Sequence, residues 1–240
     1  MTEEPYRWLE AISNRREYIR DQLKSGTPVF ALSRPEGVLL VGVGQKQSKV
    51  FEIYDRHAFA ALGHPVDIEK IRQAAIEAAH LEGFNRSSKD VTLRRLISFS
   101  LSGMLKNAFE QVFAPPLIVE SIFAELGVTP AQDNLVRVHY DGDHYYETSG
   151  VLLAHRDAQA EREASDWMRK SLSPADSLDR AVGVCLAAWR ALVDNKPFAD
   201  LNVPKDPTLE IQGKSVELAL LDRKLPSPVH YRNLAVPSVT

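Results

Sequence analysis

Lys49 is the side chain in this sequence that most needs a functional explanation. It stands alone at the start of a short apolar strand, directly after the polar stretch Gly44–Ser48. A lysine ammonium is a compact point charge that can lower a reaction barrier, bind a carboxylate or simply face water. The sequence therefore leaves three roles open for Lys49: a catalytic group, a docking group and a solvated surface charge.

Other residues that could bind a metal or act as nucleophiles fit structural roles better. The run Asp141–His144 falls where two strands must reverse, which predicts a hairpin turn in preference to a metal site. Cys185 lies on the apolar stripe of a predicted helix, which favours a core residue over a reactive thiol. His57, His80 and His155 have no carboxylate or nucleophile at triad-like positions. We expect no metal and no cofactor.

Short strands and longer helices must position these side chains. Apolar runs between turn signals predict the strands. They cover Thr27–Ser33, Val38–Val43, Lys49–Tyr54, His57–Leu62, Leu117–Leu126, Leu135–Tyr140, Tyr145–Leu153, Thr208–Ile211 and Val216–Leu221. Helical spacing of apolar residues predicts the helices. They cover Glu4–Leu23, Ile68–Glu82, a stretch after Asp90 that ends before Pro115, Arg156–Lys170, and a helix opened by Ser173 and Pro174.

Local signals predict where several of these elements begin and end. Asp67 and Asp90 are predicted helix N-caps, and Gly83 is a predicted C-terminal stop. The sixth predicted strand turns Arg137 toward the face that alternation predicts to be the wetter one. The C-terminal tail, residues 226–240, carries three prolines and is predicted to be loose.

The order of the elements predicts the fold class. A helix is followed by four strands, two helices, a set of strands, two helices and two strands. Because strands and helices come in blocks and not as alternating βαβ units, we predict an α/β/β/α layered sandwich. No interior linker marks a domain boundary, so we expect one domain over residues 1–240.

Composition narrows the classes of function. The 240 residues include 44% apolar and 25% charged residues, which is typical of a globular domain. The net charge of −3 argues against nucleic acid as the main partner. The single cysteine allows no internal disulfide, and the acidic N-terminus is unlike a signal peptide. With no apolar run long enough to span a membrane, we expect a cytoplasmic protein.

Several stretches, in this order, resemble the proteasome subunits, and most closely the α-type subunit of the actinobacterial 20S proteasome. They are SNRREYIRDQLKSG, VFALSRPEGVLLVG, KVFEIYDRHAFAALG, IRQAAIEAAHLEGF, KDVTLRR, VRVHYDG and PTLEIQGKSVELALLD. None is a fingerprint by itself, whereas their order and spacing together are specific to the family. The resemblance covers most of the chain.

The resemblance implies a fold, an assembly and a set of partners. The family folds as an N-terminal-nucleophile hydrolase sandwich, here with an extra N-terminal helix. Its β-type subunits are threonine proteases. Its α-type subunits lack the nucleophile. They form heptameric rings, which predicts a homo-heptamer here. These rings stack on the β-type ring, gate the entry of unfolded protein substrates, and dock a ring ATPase or other proteasome activator. The N-terminal helix is expected in contacts between neighbouring α subunits.

The resemblance also implies two possible roles for Lys49. In β-type subunits the matching lysine is catalytic, whereas in α-type subunits it pairs with the C-terminal carboxylate of an activator tail. Three features argue against the β-type reading. Thr27 follows a glycine, as at the β-type cleavage point, but Pro28 comes next; Val43 stands where an acid is needed; and Ala154–Asp157 replaces a Gly/Ser cluster. Docking is therefore favoured over catalysis, with a plain surface lysine still open.

Two more sites follow from the resemblance. Gly63 matches a glycine in the wall of the same activator pocket, although a simple turn glycine explains it as well. The N-terminal segment is the expected gate, although a frayed terminus is the simpler alternative. The gate residues are Met1, Thr2, Glu3, Glu4, Pro5 and Tyr6. This segment lacks the Tyr-Asp-Arg element of archaeal and eukaryotic α subunits.

Two alternatives stay open at this point. The chain could be an active N-terminal threonine protease, cleaved between Gly26 and Thr27 so that Thr27 becomes the nucleophile. It could also be a diverged homologue that assembles with itself and has no β-type partner. We expect a non-catalytic α-type subunit in preference to both.

Overall fold

The computed structural model describes residues 4–45, 47–199, 201–203, 211, 213–226 and 228–235. Within them, ten strands form two antiparallel five-stranded sheets. The first sheet, in the order β10-β9-β2-β1-β8, consists of β1 (Val29–Arg34), β2 (Gly37–Gly44), β8 (Val151–Ala154), β9 (Ser215–Asp222) and β10 (Tyr231–Asn233). The second sheet, in the order β3-β4-β5-β6-β7, consists of β3 (Val50–Tyr54), β4 (His57–Gly63), β5 (Val119–Glu125), β6 (Asn134–Val138) and β7 (His144–Glu147).

Helices cover the outer face of each sheet. The α-helices are α1 (Glu4–Leu23), α2 (Pro65–Asn85), α3 (Leu93–Leu96), α4 (Ser102–Glu110), α5 (Ala158–Ser171) and α6 (Leu178–Asp194). A π-helical segment, Ile97–Leu101, joins α3 to α4, and short 3₁₀ turns occur at Ser88–Asp90 and Pro130–Gln132. One apolar cluster lies between the first sheet and α5 and α6, and another lies between the second sheet and α2 to α4. The predicted α/β/β/α sandwich is confirmed.

A third apolar cluster fills the space between the two sheets. It takes alternate residues of the central strands, such as Val38 and Leu40 of β2 and Ile122 of β5. The side chains of Ile19 and Leu23 extend from α1 into the same cluster. The apolar stripe of α1 therefore joins the inter-sheet core at its C-terminal half.

Arg15 fixes α1 against the end of α4. Its side chain is 8% exposed, and its Nη atoms donate to the carbonyls of Ala108 at 2.8 Å, Ala114 at 2.8 Å and Val112 at 3.5 Å. These carbonyls lie at or just beyond the C-terminus of α4, where the last carbonyls have no helical partner and a positive charge is favoured.

Several predicted element ends are wrong, each for a visible reason. Helix α2 begins at Pro65, because the Asp67 carboxylate accepts from the backbone N–H of Ile118 and does not cap the helix. It runs past Gly83 to Asn85; the glycine is needed because a Cβ there would lie 2.4 Å from the Tyr54 hydroxyl oxygen.

The remaining helix starts are set by residues next to the predicted ones. Thr92, and not Asp90, caps α3. Asp157 caps α5, one residue after its predicted start, and Ser177 caps α6, so that Ser173 and Pro174 lie in the turn before it.

The predicted strand Tyr145–Leu153 is two strands in different sheets. His144–Glu147 pairs with β6 in the second sheet, whereas Val151–Ala154 pairs with β1 in the first. Gly150, at φ +74°, lies in the crossing between them, a conformation that side chains disfavour.

Two predictions about the C-terminal region are also corrected or untested. Tyr231–Asn233 forms β10 and pairs with β9, so this part of the tail predicted to be loose belongs to the first sheet. Of the predicted strand at 208–211, only Ile211 lies among the described residues, and it is not in a strand.

The prediction that Arg137 faces water is wrong. Its side chain is 1% exposed and lies beside Glu120 of β5 and Glu161 of α5. The face of β6 that carries Leu135 and Arg137 is therefore buried in the sandwich, as is the opposite face with Val136 and Val138.

Candidate functional site

Lys49 lies immediately before β3, at the end of the space between the two sheets. The backbone N–H of Ala61, on β4, donates to the Lys49 carbonyl at 3.0 Å. Two glycines of β2 leave room for the lysine side chain. A Cβ on Gly42 would be 3.2 Å from the Lys49 Cβ, and one on Gly44 would be 3.5 Å from the Lys49 Cε. The alternating glycines thus let the lysine stem lie across β2.

In the part of the chain that the structure describes, the two acceptors of the Lys49 ammonium are both atoms of Thr27. The Lys49 ammonium donates to the Thr27 carbonyl at 3.1 Å and to the Thr27 Oγ1. The same hydroxyl donates to the carbonyl of Val43 at 2.6 Å. The threonine hydroxyl therefore bridges the lysine and the end of β2.

Glu217 fixes the backbone of Lys49. Its Oε2 accepts from the Lys49 N–H at 2.7 Å and from the Val50 N–H at 3.2 Å. Glu217 pairs with Gly42 in the β2–β9 ladder. Because β9 belongs to the first sheet and β3 to the second, this carboxylate ties the two sheets together beside the lysine.

The environment of Lys49 disfavours its charged form. Burial lowers the pKa of Lys49, the Glu217 carboxylate raises it and the nearby Lys214 lowers it, so that the net pKa falls from 10.5 to about 8. Among the described residues, no carboxylate forms an ion pair with the ammonium, which is bonded only to neutral oxygens of Thr27. An anion entering here would meet a desolvated positive charge.

Gly63 ends the strand that pairs with Lys49, two residues after Ala61. Its φ is +137°, and a Cβ would lie only 2.1 Å from the Ile118 carbonyl oxygen. The close approach of the backbone before β5 is thus enough to require glycine here. The structure brings Lys49 and Gly63 to the same end of neighbouring strands, and the pocket role of Gly63 stays a prediction.

Thr27 is an internal residue that follows the C-terminus of α1 by four positions. The Gly26 N–H donates to the carbonyl of Leu23, the last residue of α1, at 2.9 Å. A threonine hydroxyl beside a lysine is the arrangement that an N-terminal threonine protease also needs, but there the threonine nitrogen is a terminal amine. Here that nitrogen is part of the peptide bond to Gly26.

The other features that argued against a protease have structural roles. The carbonyl of Val43, and not an acidic side chain, meets the Thr27 hydroxyl. In the segment that replaces the Gly/Ser cluster, the His155 N–H donates to Glu161 at 2.9 Å, and Asp157 caps α5. This segment therefore starts a helix and joins the buried charges around Arg137.

The predicted gate segment is only partly described. Met1, Thr2 and Glu3 lie outside the described residues, whereas Glu4, Pro5 and Tyr6 form the first turn of α1. On the following turn Trp8 and Leu9 are 45% and 64% exposed. The gating role of the segment stays a prediction.

The remaining candidates occupy structural positions. Asp141 and Gly142 form the predicted hairpin turn between β6 and β7, with Gly142 at φ +84°. Within the described ranges no group of three or more His, Cys, Asp or Glu residues is arranged to hold a metal. Cys185 is buried in α6, and burial raises the pKa of its thiol. His57 is also buried.

Sequence reasoning missed two acceptors of the site, the Glu217 carboxylate that bonds the Lys49 N–H and the Val43 carbonyl that bonds the Thr27 hydroxyl. Glu217 and the Val43 carbonyl become neighbours only through the β2–β9 and β2–β1 pairings. No spacing in the sequence signals contacts between residues so far apart. The glycines at 42 and 44 were a usable signal, because glycine inside a strand marks a close approach.

No helix of the described residues is long and apolar enough to cross a membrane. The stacked antiparallel sheets with helices on both outer faces, and the lysine beside the threonine that precedes β1, define an N-terminal-nucleophile hydrolase sandwich.

Comparison with curated proteins identifies the family within this class. The chain is 30% identical over 217 residues to the proteasome subunit alpha of Renibacterium salmoninarum, covering 89% of this chain and 82% of the relative. It is 32% identical over 219 residues to that of Xylanimonas cellulosilytica, covering 90% and 86%. No protein-family model matches the sequence. The chain belongs to the proteasome α-subunit family.

Proposed function

We propose that this chain is a non-catalytic α-type subunit that forms the outer heptameric ring of a 20S proteasome. In this role it stacks on a ring of β-type subunits, restricts the entry of unfolded proteins, and docks a ring ATPase activator in the cytoplasm. The observation that carries the proposal is the similarity to α subunits over about nine tenths of the chain.

The surroundings of Thr27 support the non-catalytic role. The threonine is joined to α1 through Gly26, and α1 packs Ile19 and Leu23 into the inter-sheet core. Cleavage before Thr27 would remove a helix that contributes to this core, whereas a propeptide must be dispensable for the folded chain.

The surroundings of Lys49 support the docking role. Its ammonium is half-buried, positively charged at neutral pH and bonded to neutral oxygens of Thr27. A C-terminal carboxylate is a compact anion that suits such a point charge. Gly63, at the end of the neighbouring strand, forms part of the same proposed pocket.

The position of α1 supports a gate at its N-terminus. Arg15 and the apolar residues Ile19 and Leu23 fix the C-terminal half of the helix, whereas Trp8 and Leu9 stay exposed. In a ring, these exposed residues would contact the neighbouring α subunit, and the segment Met1–Tyr6 would extend toward the axis.

Intact-mass measurement of the purified chain tests the proposal against the protease alternative. Co-expression with β-type subunits, followed by electron microscopy, then tests the assembly. We expect an unprocessed chain and stacked seven-membered rings. A mature chain that begins at Thr27 would contradict the non-catalytic role. Rings of this chain alone, with no stacking on any β-type ring, would instead favour a self-assembling homologue.

A further inference from the structure

We infer that Thr27 is the positioning residue of the Lys49 pocket: its hydroxyl and carbonyl hold the lysine ammonium in place for an incoming carboxylate. The inference rests on the proposed docking function. It adds a second residue to the pocket, and it gives Thr27 a role in binding instead of catalysis.

Two acceptors from one residue define where the ammonium lies. The Thr27 carbonyl and Oγ1 both accept from Lys49. An ammonium has three donors, and no other described residue accepts from this one, so one N–H is left for a ligand. A lysine that is already fixed loses less rotamer freedom when the ligand arrives, which favours binding.

The Thr27 hydroxyl is itself oriented. It donates its proton to the Val43 carbonyl, 2.6 Å away, and therefore presents a lone pair to Lys49. Pro28 favours an extended backbone at Thr27, which fixes the direction of the carbonyl. The proline that disfavours a protease thus suits a fixed docking site.

The pKa of Lys49 depends on the charged groups around it and on its hydrogen bond to Thr27. Glu217 of β9 favours the ammonium, whereas Lys214, just before β9, and burial disfavour it. An acceptor bonded to the ammonium stabilises its charged form. Removal of the hydroxyl should therefore lower the pKa of Lys49 below about 8 and leave more neutral amine near neutral pH.

The test compares Thr27→Val, which keeps the side-chain shape, with Thr27→Ser, which keeps the hydroxyl. Thr148→Val, at an exposed position, is the matched control. Acetylation of Lys49 by acetic anhydride, followed by mass spectrometry across a pH series, reports the fraction of neutral amine. We expect Thr27→Val to raise the labelling rate at pH 7 roughly threefold, because its titration midpoint falls. Thr27→Ser and Thr148→Val should match the wild type.

The second arm measures binding of short peptides derived from ATPase C-termini, with a free carboxylate or with an amide in its place. We expect the carboxylate peptides to bind assembled rings roughly fivefold more weakly after Thr27→Val, and Thr27→Ser to restore binding. Thr27→Ala is a second variant, expected to give the same shift if the valine variant assembles poorly.

The two arms separate failure of the inference from failure of the proposed function. An unchanged titration midpoint in Thr27→Val and Thr27→Ala, or tighter peptide binding, would overturn the positioning role. If the midpoint shifts as expected but carboxylate and amide peptides bind wild-type rings equally, the positioning role holds and the docking function is contradicted.

Discussion

Arg137 and Lys49 both carry a positive charge into the space between the sheets, but their surroundings differ in kind. Arg137 is 2.7 Å from a carboxylate oxygen of Glu120 and 3.4 Å from one of Glu161. It also donates to the carbonyls of Ser121 and His155. The Lys49 ammonium has, among the described residues, only the neutral oxygens of Thr27 as hydrogen-bond acceptors.

The pKa values follow these surroundings. Burial lowers the pKa of Arg137, but attraction to Glu120 and Glu161 outweighs burial and raises it overall. Burial lowers the pKa of Lys49, Glu217 offsets only part of this effect, and the net pKa is about 8. The charge of Arg137 is therefore balanced by carboxylates of the same chain, whereas the charge of Lys49 is not and lowers the stability of the fold. An unbalanced, partly buried charge is the expected property of a ligand-binding group.

The largest expected effect follows from removal of the arginine. Arg137→Met leaves two buried carboxylates without their counter-charge and should lower the free energy of unfolding by about 3 to 5 kcal/mol. Urea unfolding measures this loss. Arg169→Met, at an exposed ion pair with Asp166, is the control and should change stability by less than about 1 kcal/mol.

Removal of the Glu120 and Glu161 carboxylates tests whether their uncompensated charge causes the loss of stability in Arg137→Met. Replacing Glu120 and Glu161 by glutamine in the Arg137→Met background should recover part of the loss, because no uncompensated charge is then buried. If the single Arg137→Met variant is as stable as the control, the buried ion pairs do not hold the sheets together.

The matching substitution at Lys49 should raise the free energy of unfolding instead of lowering it. Lys49→Met removes a charge whose pKa is lowered from 10.5 to about 8, and it should stabilise the fold at pH 7 by on the order of 2 kcal/mol. Between pH 8 and 10.5 the unfolded lysine holds more protons than the folded one. Wild-type stability should therefore rise relative to the variant across this window.

Urea unfolding of both proteins at pH 7 and pH 10.5 measures that difference. Lys106→Met, at an exposed pair with Glu110, serves as the control with no such pH dependence. A Lys49→Met variant that is less stable than the wild type at pH 7 would mean that the lysine is compensated like Arg137.

Arg15 is the intermediate case, a buried guanidinium whose hydrogen-bond partners in the described part of the chain are backbone carbonyls. Arg15→Met removes its bonds to the end of α4 and should lower stability by about 1 to 2 kcal/mol. Hydrogen exchange should become faster in α1. Because α1 carries the proposed gate, the same variant should raise basal peptide hydrolysis in assembled particles, and unchanged exchange would contradict the anchoring role.

The part of the fold set by local patterns could be predicted from the sequence. The bounds of α1 and the four strands that follow it match closely, because helical periodicity and turn residues mark them. The change of sheet within residues 145–153 could not be predicted, since both strands alternate alike and only Gly150 marks the crossing.

The environment of charged residues was the harder part to predict. The alternating pattern of β6 predicts a solvent-exposed face for Arg137 because arginine is charged. Its partners Glu120 and Glu161 come from β5 and α5, which are distant in sequence. For the same reason Lys49 could be singled out, whereas its contact with Glu217 could not. Tertiary pairing decides which charges are compensated.

The most direct test of the central claim is activator-stimulated proteolysis with Lys49→Ala. Particles reconstituted with β-type subunits and a ring ATPase activator would be compared for degradation of an unfolded protein, with Lys106→Ala as the surface control. We expect intact rings and a loss of stimulation of at least about tenfold in Lys49→Ala, because the activator carboxylate loses its counter-charge. Unchanged stimulation with intact rings would contradict the docking role of Lys49.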